Sequence, residues 1–296
     1  MNLLWVVFTV VAAAGQTARN AMQRELTESL GAVGATHVRF LFGFPFALAF
    51  LAAVTVFTHG TLPHPEPKFW LWVVSGALTQ IGGTALMLMT MTERSFVVTV
   101  AYLKTEPLFV AGLGLLFLHD PLTPGMVAAI VIATSGVILI SLRGGAKSGG
   151  VRPALFGLAA GASFAISAIG YRGGILALHL PGYLMPATFT LAVGLVVQAV
   201  VLTVYLAATD SAVLRAIFRL WRPSLLAGFT GAAASQFWFL AFALATAASV
   251  RTLGLIDVLF AQMVSHIVFR QRTTLREAAG IVLLVAGAVL LVYSHG

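Results

Sequence analysis

Ten apolar runs, each about as long as a bilayer crossing, succeed one another along this 296-residue chain with little between them. They cover approximately 2–23, 32–57, 69–91, 96–118, 122–142, 153–173, 182–208, 223–245, 249–269 and 277–294. A spanning helix needs about 20 apolar residues, so such runs predict membrane helices, whose backbone groups are all satisfied within the segment. Turn-forming residues mark the breaks: Gly60 to Pro65, Asp120–Pro121 and Pro181–Gly182. Only 9% of the residues are charged, where a soluble domain carries about a quarter. Soluble classes are thereby excluded, and the net charge of +8 reads as basic loops beside anionic lipid rather than as a nucleic-acid surface. With no cysteine, the chain can form no disulfide framework, thiolate zinc site or thiol redox motif. The first run, from Leu3 to Ala14, has a signal-like end at Ala12–Ala13–Ala14 but no basic residue before it, so it is expected to remain as a membrane helix.

The two halves share a register. A shift of 151 residues, which separates Glu106 from Asp257, also carries Gly136 onto Gly287, Gly43 onto Gly194, Phe109 onto Phe260 and Trp70 onto Trp221. Five spans per half is an odd number, so the second copy must cross the bilayer upside down relative to the first. The expected fold is therefore an all-α membrane protein of ten transmembrane helices, arranged as two inverted five-helix repeats around a central polar cavity. Residues 1–143 form the first repeat, the glycine-rich stretch 144–152 the linker loop and 153–296 the second repeat. Arg24, Arg94, Arg143, Lys147, Arg152, Arg215, Arg219, Arg222, Arg270, Arg272 and Arg276 fall in the loops after the odd-numbered spans, whereas the opposite side holds little beyond Lys68 and Arg172. The excess of basic residues faces the cytoplasm, which puts both termini on the other side of a bacterial-type inner membrane. Between spans seven and eight, Asp210 to Arg222 reads either as an interfacial helix, with Val213, Leu214, Ile217, Phe218 and Trp221 on one face, or as an ordinary basic loop.

Ionised side chains deep in an apolar span cost at least a few kcal/mol and persist mainly where they serve a pathway. Lys104 and Glu106 lie in the fourth run, and Arg251 and Asp257 in the matching ninth. Within either helix the two charges point apart, so each needs a partner on another helix or on a bound solute, and a contact of Glu106 with Arg251 is one expected pairing. Pro107 removes a helical hydrogen bond and frees the Leu103 carbonyl, which opens the fourth helix at the charges or simply kinks it. Arg39 either snorkels or holds an anionic group, whereas Arg19 is expected to snorkel. Gln16, Asn20 and Gln80 are further candidates for the substrate or ion-coupling site. Gln236 and Gln262 read as interhelical hydrogen bonds, and His37 and His266 as buried, satisfied histidines.

Around the fourth and fifth spans the chain resembles the drug/metabolite transporter superfamily in its ten-helix EamA-like branch. Pro107, Phe109, Asp120 and Gly136 fit a proline-broken helix with aromatics, an acidic turn and a spaced glycine, with Ala129 in place of an earlier glycine. In the second half Phe260, Gly280 and Gly287 fit, while Val258 replaces the proline and Gln271 the acid. The resemblance implies a pathway lined by the spans that carry Gln16, Asn20 and Gln80. It also implies that spans five and ten form a packing and dimer-forming support, through Gly136 and the Ala286–Gly287–Ala288 set.

The expected function is secondary active transport, with export the expected direction, of small polar metabolites such as amino acids or organic anions. Its partners would be a carboxylate- or phosphate-bearing solute, the lipid bilayer and a second copy of the chain as a homodimer, with no nucleic acid and no cofactor. Four deep cations against two carboxylates favour an anionic or amphoteric solute. A multidrug exporter of lipophilic cations is the alternative, and it would leave a carboxylate unpaired among aromatic rings. An enzyme is not expected: the sequence has no His-Glu-x-x-His helix, Gly-x-Ser-x-Gly elbow, phosphate-binding glycine loop or metal-ligating set.

Overall fold

A computed structural model describes residues 3–93, 103–141, 151–260, 262–263 and 274–294, and every element among them is a helix. In chain order these are α1 (Leu4–Leu41), α2 (Phe44–Thr58), α3 (Pro67–Glu93), α4 (Glu106–Leu113), α5 (Pro124–Ser141), α6 (Val151–Ala177), α7 (Leu184–Thr209), α8 (Ser211–Arg219), α9 (Trp221–Leu244), α10 (Ala247–Leu253) and α11 (Leu275–Ser294). Among the described residues six stretches are long and apolar enough to cross a membrane: Glu25–Thr58, Pro67–Thr90, Leu155–Ala177, Leu184–Thr209, Trp221–Leu244 and Leu275–Ser294. Two shorter apolar helices, Glu106–Leu118 and Pro124–Ile140, accompany them.

The interruptions differ from the expected loops. No loop forms at Arg24: α1 continues through Glu25, Leu26 and Glu28, residues that favour helix, and turns only at Gly31, where φ is 66° and ψ 176°. A side chain is strained at that angle, so the glycine sets the corner. The expected second span is in turn two helical pieces, because α1 ends at Leu41 and α2 restarts at Phe44 with Pro45 in its first turn. Before α4, Leu103 is helical, Lys104 and Thr105 form a turn, and the helix begins at Glu106 with Pro107 behind it. A π-helical segment, Gly114–Leu118, prolongs α4. Beyond α10 a 3₁₀ turn, Gly254–Ile256, precedes Asp257. The regular α-helix is thus interrupted by a turn at Lys104 and tightened to 3₁₀ between Arg251 and Asp257.

Helices pair most extensively as α3 with α6, α5 with α11 and α1 with α9, while α2 lies along α7. The α5–α11 contact is backbone against backbone. A Cβ on Gly136 would stand 2.6 Å from the Leu284 nitrogen, and one on Gly287 2.6 Å from the Ala133 nitrogen. Glycine permits this approach in lipid, where dispersion between close backbones replaces the hydrophobic drive. Phe40, Phe69, Tyr171 and Phe242 fill the centre, whereas Leu71, Leu116, Val204 and Val282 face outward as a lipid-compatible surface.

Between α7 and α9 the chain forms the helix α8, Ser211–Arg219, rather than an ordinary loop, and Trp221 and Arg222 open α9. Asp210 caps α8 by accepting from the Val213 N–H at 3.1 Å. Ile217 is buried with Leu26 and Leu30, but Phe218 and Trp221, expected on the same face, point outward. Residues 144–150 of the expected linker lie outside the described residues, and Val151 and Arg152 already belong to α6. Arg94, Arg143, Lys147, His266, Arg270 and Arg272 also lie outside the described residues.

Candidate functional site

The turn before α4 and the break after α10 face each other, and their four charges cross-pair. Lys104 Nζ donates to both carboxylate oxygens of Asp257, at 2.5 and 2.6 Å. Arg251 Nε stands 2.9 Å from Glu106 Oε1. This second contact is an ion pair whose N–H does not aim at the oxygen, so neither atom has a hydrogen-bond partner. The Arg251 guanidinium lies 4.8 Å from the Trp238 ring centroid and 5.5 Å from that of Phe242, within cation–π range of both. Side-chain exposures are only 14% for Lys104, 11% for Asp257 and Arg251 and 16% for Glu106, and Glu106 Oε1 and Arg251 Nε are themselves buried. Lys104, Glu106, Arg251 and Asp257, placed together by the repeat register, are thus joined in space.

The remaining candidates form two neighbouring groups. Gln80 on α3 accepts from Tyr171 Oη at 3.2 Å and from Gln198 Nε2 at 2.8 Å, while Gln198 also donates to the Ala77 carbonyl. On α1, Asn20 Oδ1 accepts from Arg19 Nε and Nη2 at 3.2 and 2.7 Å, and Gln16 lies one turn earlier, half-buried. Arg19 does not snorkel. It and Arg39 are each only 5% exposed, and the aliphatic stems of both lie against Gly231 in α9. The reason is depth: Gly231 is near the middle of the 24-residue α9, too far from either helix end for a side chain to reach the headgroups. Arg39 packs over the Phe40 ring at 5.1 Å, and its Nε has no hydrogen-bond partner.

Arg172 is no loop cation either. Half-buried on α6, it donates to Asp120 from Nε and Nη2, at 3.2 and 3.0 Å, and through Nη1 to the carbonyls of Phe242 and Ala245. Those carbonyls belong to the C-terminal end of α9, where a cation satisfies orphan acceptors and the helix dipole together. Gln236 makes the expected interhelical bond, to Thr188 at 2.7 Å. His37 is only half satisfied: Nε2 meets Thr203 Oγ1 at 3.1 Å and Nδ1 has no partner.

Tyr171, Gln198 and Trp238 escaped the sequence reading. The repeat register could have found Tyr171, because it falls on Asn20; the other two carry no such signal. A groove of about 410 Å³ runs between α10 and α11, lined by Leu253, Ile256, Leu284, Ala288, Val292 and Tyr293. It is apolar, so it is not the polar cavity expected around the charges. Among the described residues no three His, Cys, Asp or Glu side chains gather as metal ligands.

Paired charges between helices of an otherwise apolar, multi-pass helical protein are an arrangement found where a membrane protein serves a polar pathway. Residues 3–142, just under half of the chain, match the EamA-like transporter family, part of the drug/metabolite transporter superfamily. No curated protein matches the chain significantly. A solved structure described only as "Crystal structure of protein" aligns with 99% of this chain and 96% of its own, at a TM-score of 0.71 and 13% identity. It is similar in fold, over nearly the full length of both chains.

Proposed function

We propose that the chain is a secondary active exporter of small polar metabolites, such as amino acids or organic anions, working by alternating access between two inverted five-helix repeats. The crossed pairs Lys104–Asp257 and Glu106–Arg251 carry this reading, because they join the equivalent broken helices of the two halves at the point where a pathway must open and close. Ten spans follow if residues 4–30 and 32–58 count as two crossings and the broken segments around α4 and α10 as one each. The helix pairings support the repeat: exchanging the halves turns α1–α9 into α6–α3 and maps α5–α11 and α2–α7 onto themselves. Gln16, Asn20, Gln80 and Arg39 would line the solute side. An inner-membrane location with both termini outside the cytoplasm, and a homodimer supported by α5 and α11, belong to the same proposal.

Both central carboxylates are paired, and Arg251 already occupies the Trp238 face. That arrangement argues against a pump for lipophilic cations, which calls for a free carboxylate among open aromatic rings. The test is transport in proteoliposomes loaded in turn with amino acids, organic acids and a lipophilic cation. Saturable transport of a polar solute, lost in Glu106→Gln, is expected. Transport of the lipophilic cation alone, or full transport by the variant at every pH, would overturn the reading.

A further inference from the structure

We propose that Arg19 and Arg39 form the subsite for the solute's anionic group, a carboxylate or phosphate, and that the cations of the crossed pairs do not. The proposal rests on the transporter reading and adds where the negative charge sits.

The charge balance leads there. Asp257 is held by Lys104, and Glu106 is held by Arg251. Arg19 and Arg39 lie within electrostatic reach of each other and of Arg251. Arg19 also feels Asp257, but that carboxylate is paired with Lys104, and among the described residues neither arginine forms an ion pair of its own. Arg19 has only the neutral Asn20 oxygen, and Arg39 Nε has no acceptor. Two buried like charges, each 5% exposed at mid-depth in an apolar bundle, repel one another and have lost their water. An anion between them removes both penalties, and the planar guanidinium is the side chain best suited to grip a carboxylate or phosphate through two parallel bonds.

Gly231 is where the two stems come together: a Cβ there would already stand in van der Waals contact, at 3.4 Å, with both Arg19 Cδ and Arg39 Cγ, so the missing side chain lets both arginines reach the same place. Tyr171 is within electrostatic reach of Arg39, and its hydroxyl is already donated to Gln80, so these two form a neutral polar wall and bring no competing charge. An amphoteric solute held at Arg19 and Arg39 would point its cationic end at Glu106 and Asp257, where it competes with Arg251 and Lys104. Binding would then loosen the crossed pairs, which is the coupling that alternating access needs.

The anion could come from a free solute or from a lipid headgroup, and the experiment separates them. Thermal unfolding of the full chain, purified in detergent, is followed with succinate, inorganic phosphate, phosphatidylglycerol or tetraphenylphosphonium added. Succinate or phosphate is expected to raise the unfolding temperature saturably. Arg19→Gln and Arg39→Gln should each weaken that effect at least about tenfold, the loss expected for one charge-assisted bond. Arg39→Lys, which keeps the charge, should lose less, and it serves as the folded control if a glutamine variant misfolds. Stabilisation by succinate or phosphate that survives both glutamine changes would place the anion elsewhere and overturn the subsite, while leaving the transporter reading intact. Stabilisation by tetraphenylphosphonium with none by any anion would overturn both. Protection by phosphatidylglycerol alone would replace the solute by a lipid and overturn the assignment to transport.

Discussion

Replacing Asp257 by Asn separates a functional ion pair from a structural one. At 2.5–2.6 Å, two unit charges attract by about 6 kcal/mol at an effective dielectric near 20. Desolvating the two ions costs several kcal/mol each and cancels most of that. Asp257→Asn leaves Lys104 buried, at 14% exposure, without its counter-charge, and such orphaned charges cost about 3–5 kcal/mol. The low end of that range is expected, because the two side chains keep 14% and 11% exposure. Removing both charges in Lys104→Met with Asp257→Leu abolishes the desolvation penalty together with the attraction. The double variant should therefore unfold within about 1 kcal/mol of the parent. Reversible unfolding in mixed micelles, run as a double-mutant cycle beside proteoliposome transport, reads both quantities. The expected pattern is stability lost in the single variant, recovered in the double, and transport absent from both. A double variant as unstable as the single one, or one that still transports, would refute the reasoning.

Arg172→Gln removes two carboxylate bonds and two carbonyl bonds at one stroke, and it should cost about 3 kcal/mol or more in the same unfolding assay. Asp120→Asn should cost less, since the bonds to Phe242 and Ala245 remain. Gly136→Val places a branched side chain where even a Cβ would stand 2.6 Å from backbone; the α5–α11 pair must separate, and the unfolding temperature should fall sharply, whereas Gly112→Ala, with nothing within 4 Å, should be nearly neutral.

The central charges could be singled out because a carboxylate with a nearby cation occurs in two apolar runs 151 residues apart, and the expected contact of Glu106 with Arg251 is present where those two segments meet. Gly136 and Gly287 were legible for the same reason, since close packing in lipid has few other solutions. Arg19 was misread because snorkelling depends on which helix lies beside it, and α9 adds no local signal to the sequence of α1. The Asp120–Arg172 clasp joins residues 52 apart, both near expected span ends, where charges ordinarily meet water. Trp238 is one aromatic in an apolar run, with nothing in its neighbours to single out the ring that stacks on Arg251. Helix ends shifted wherever polar helix formers, as at Glu25 to Glu28, extend a span beyond its apolar stretch.

The chain contains no cysteine, so a single introduced thiol reports its own surroundings. Gln16→Cys, half-buried on α1 one turn from Asn20, should react with a membrane-impermeant maleimide added from either side in turn, and a transported solute should shift the balance between the two rates. A thiol that reacts from neither side, or from one side only whatever solute is present, would contradict a central site with alternating access.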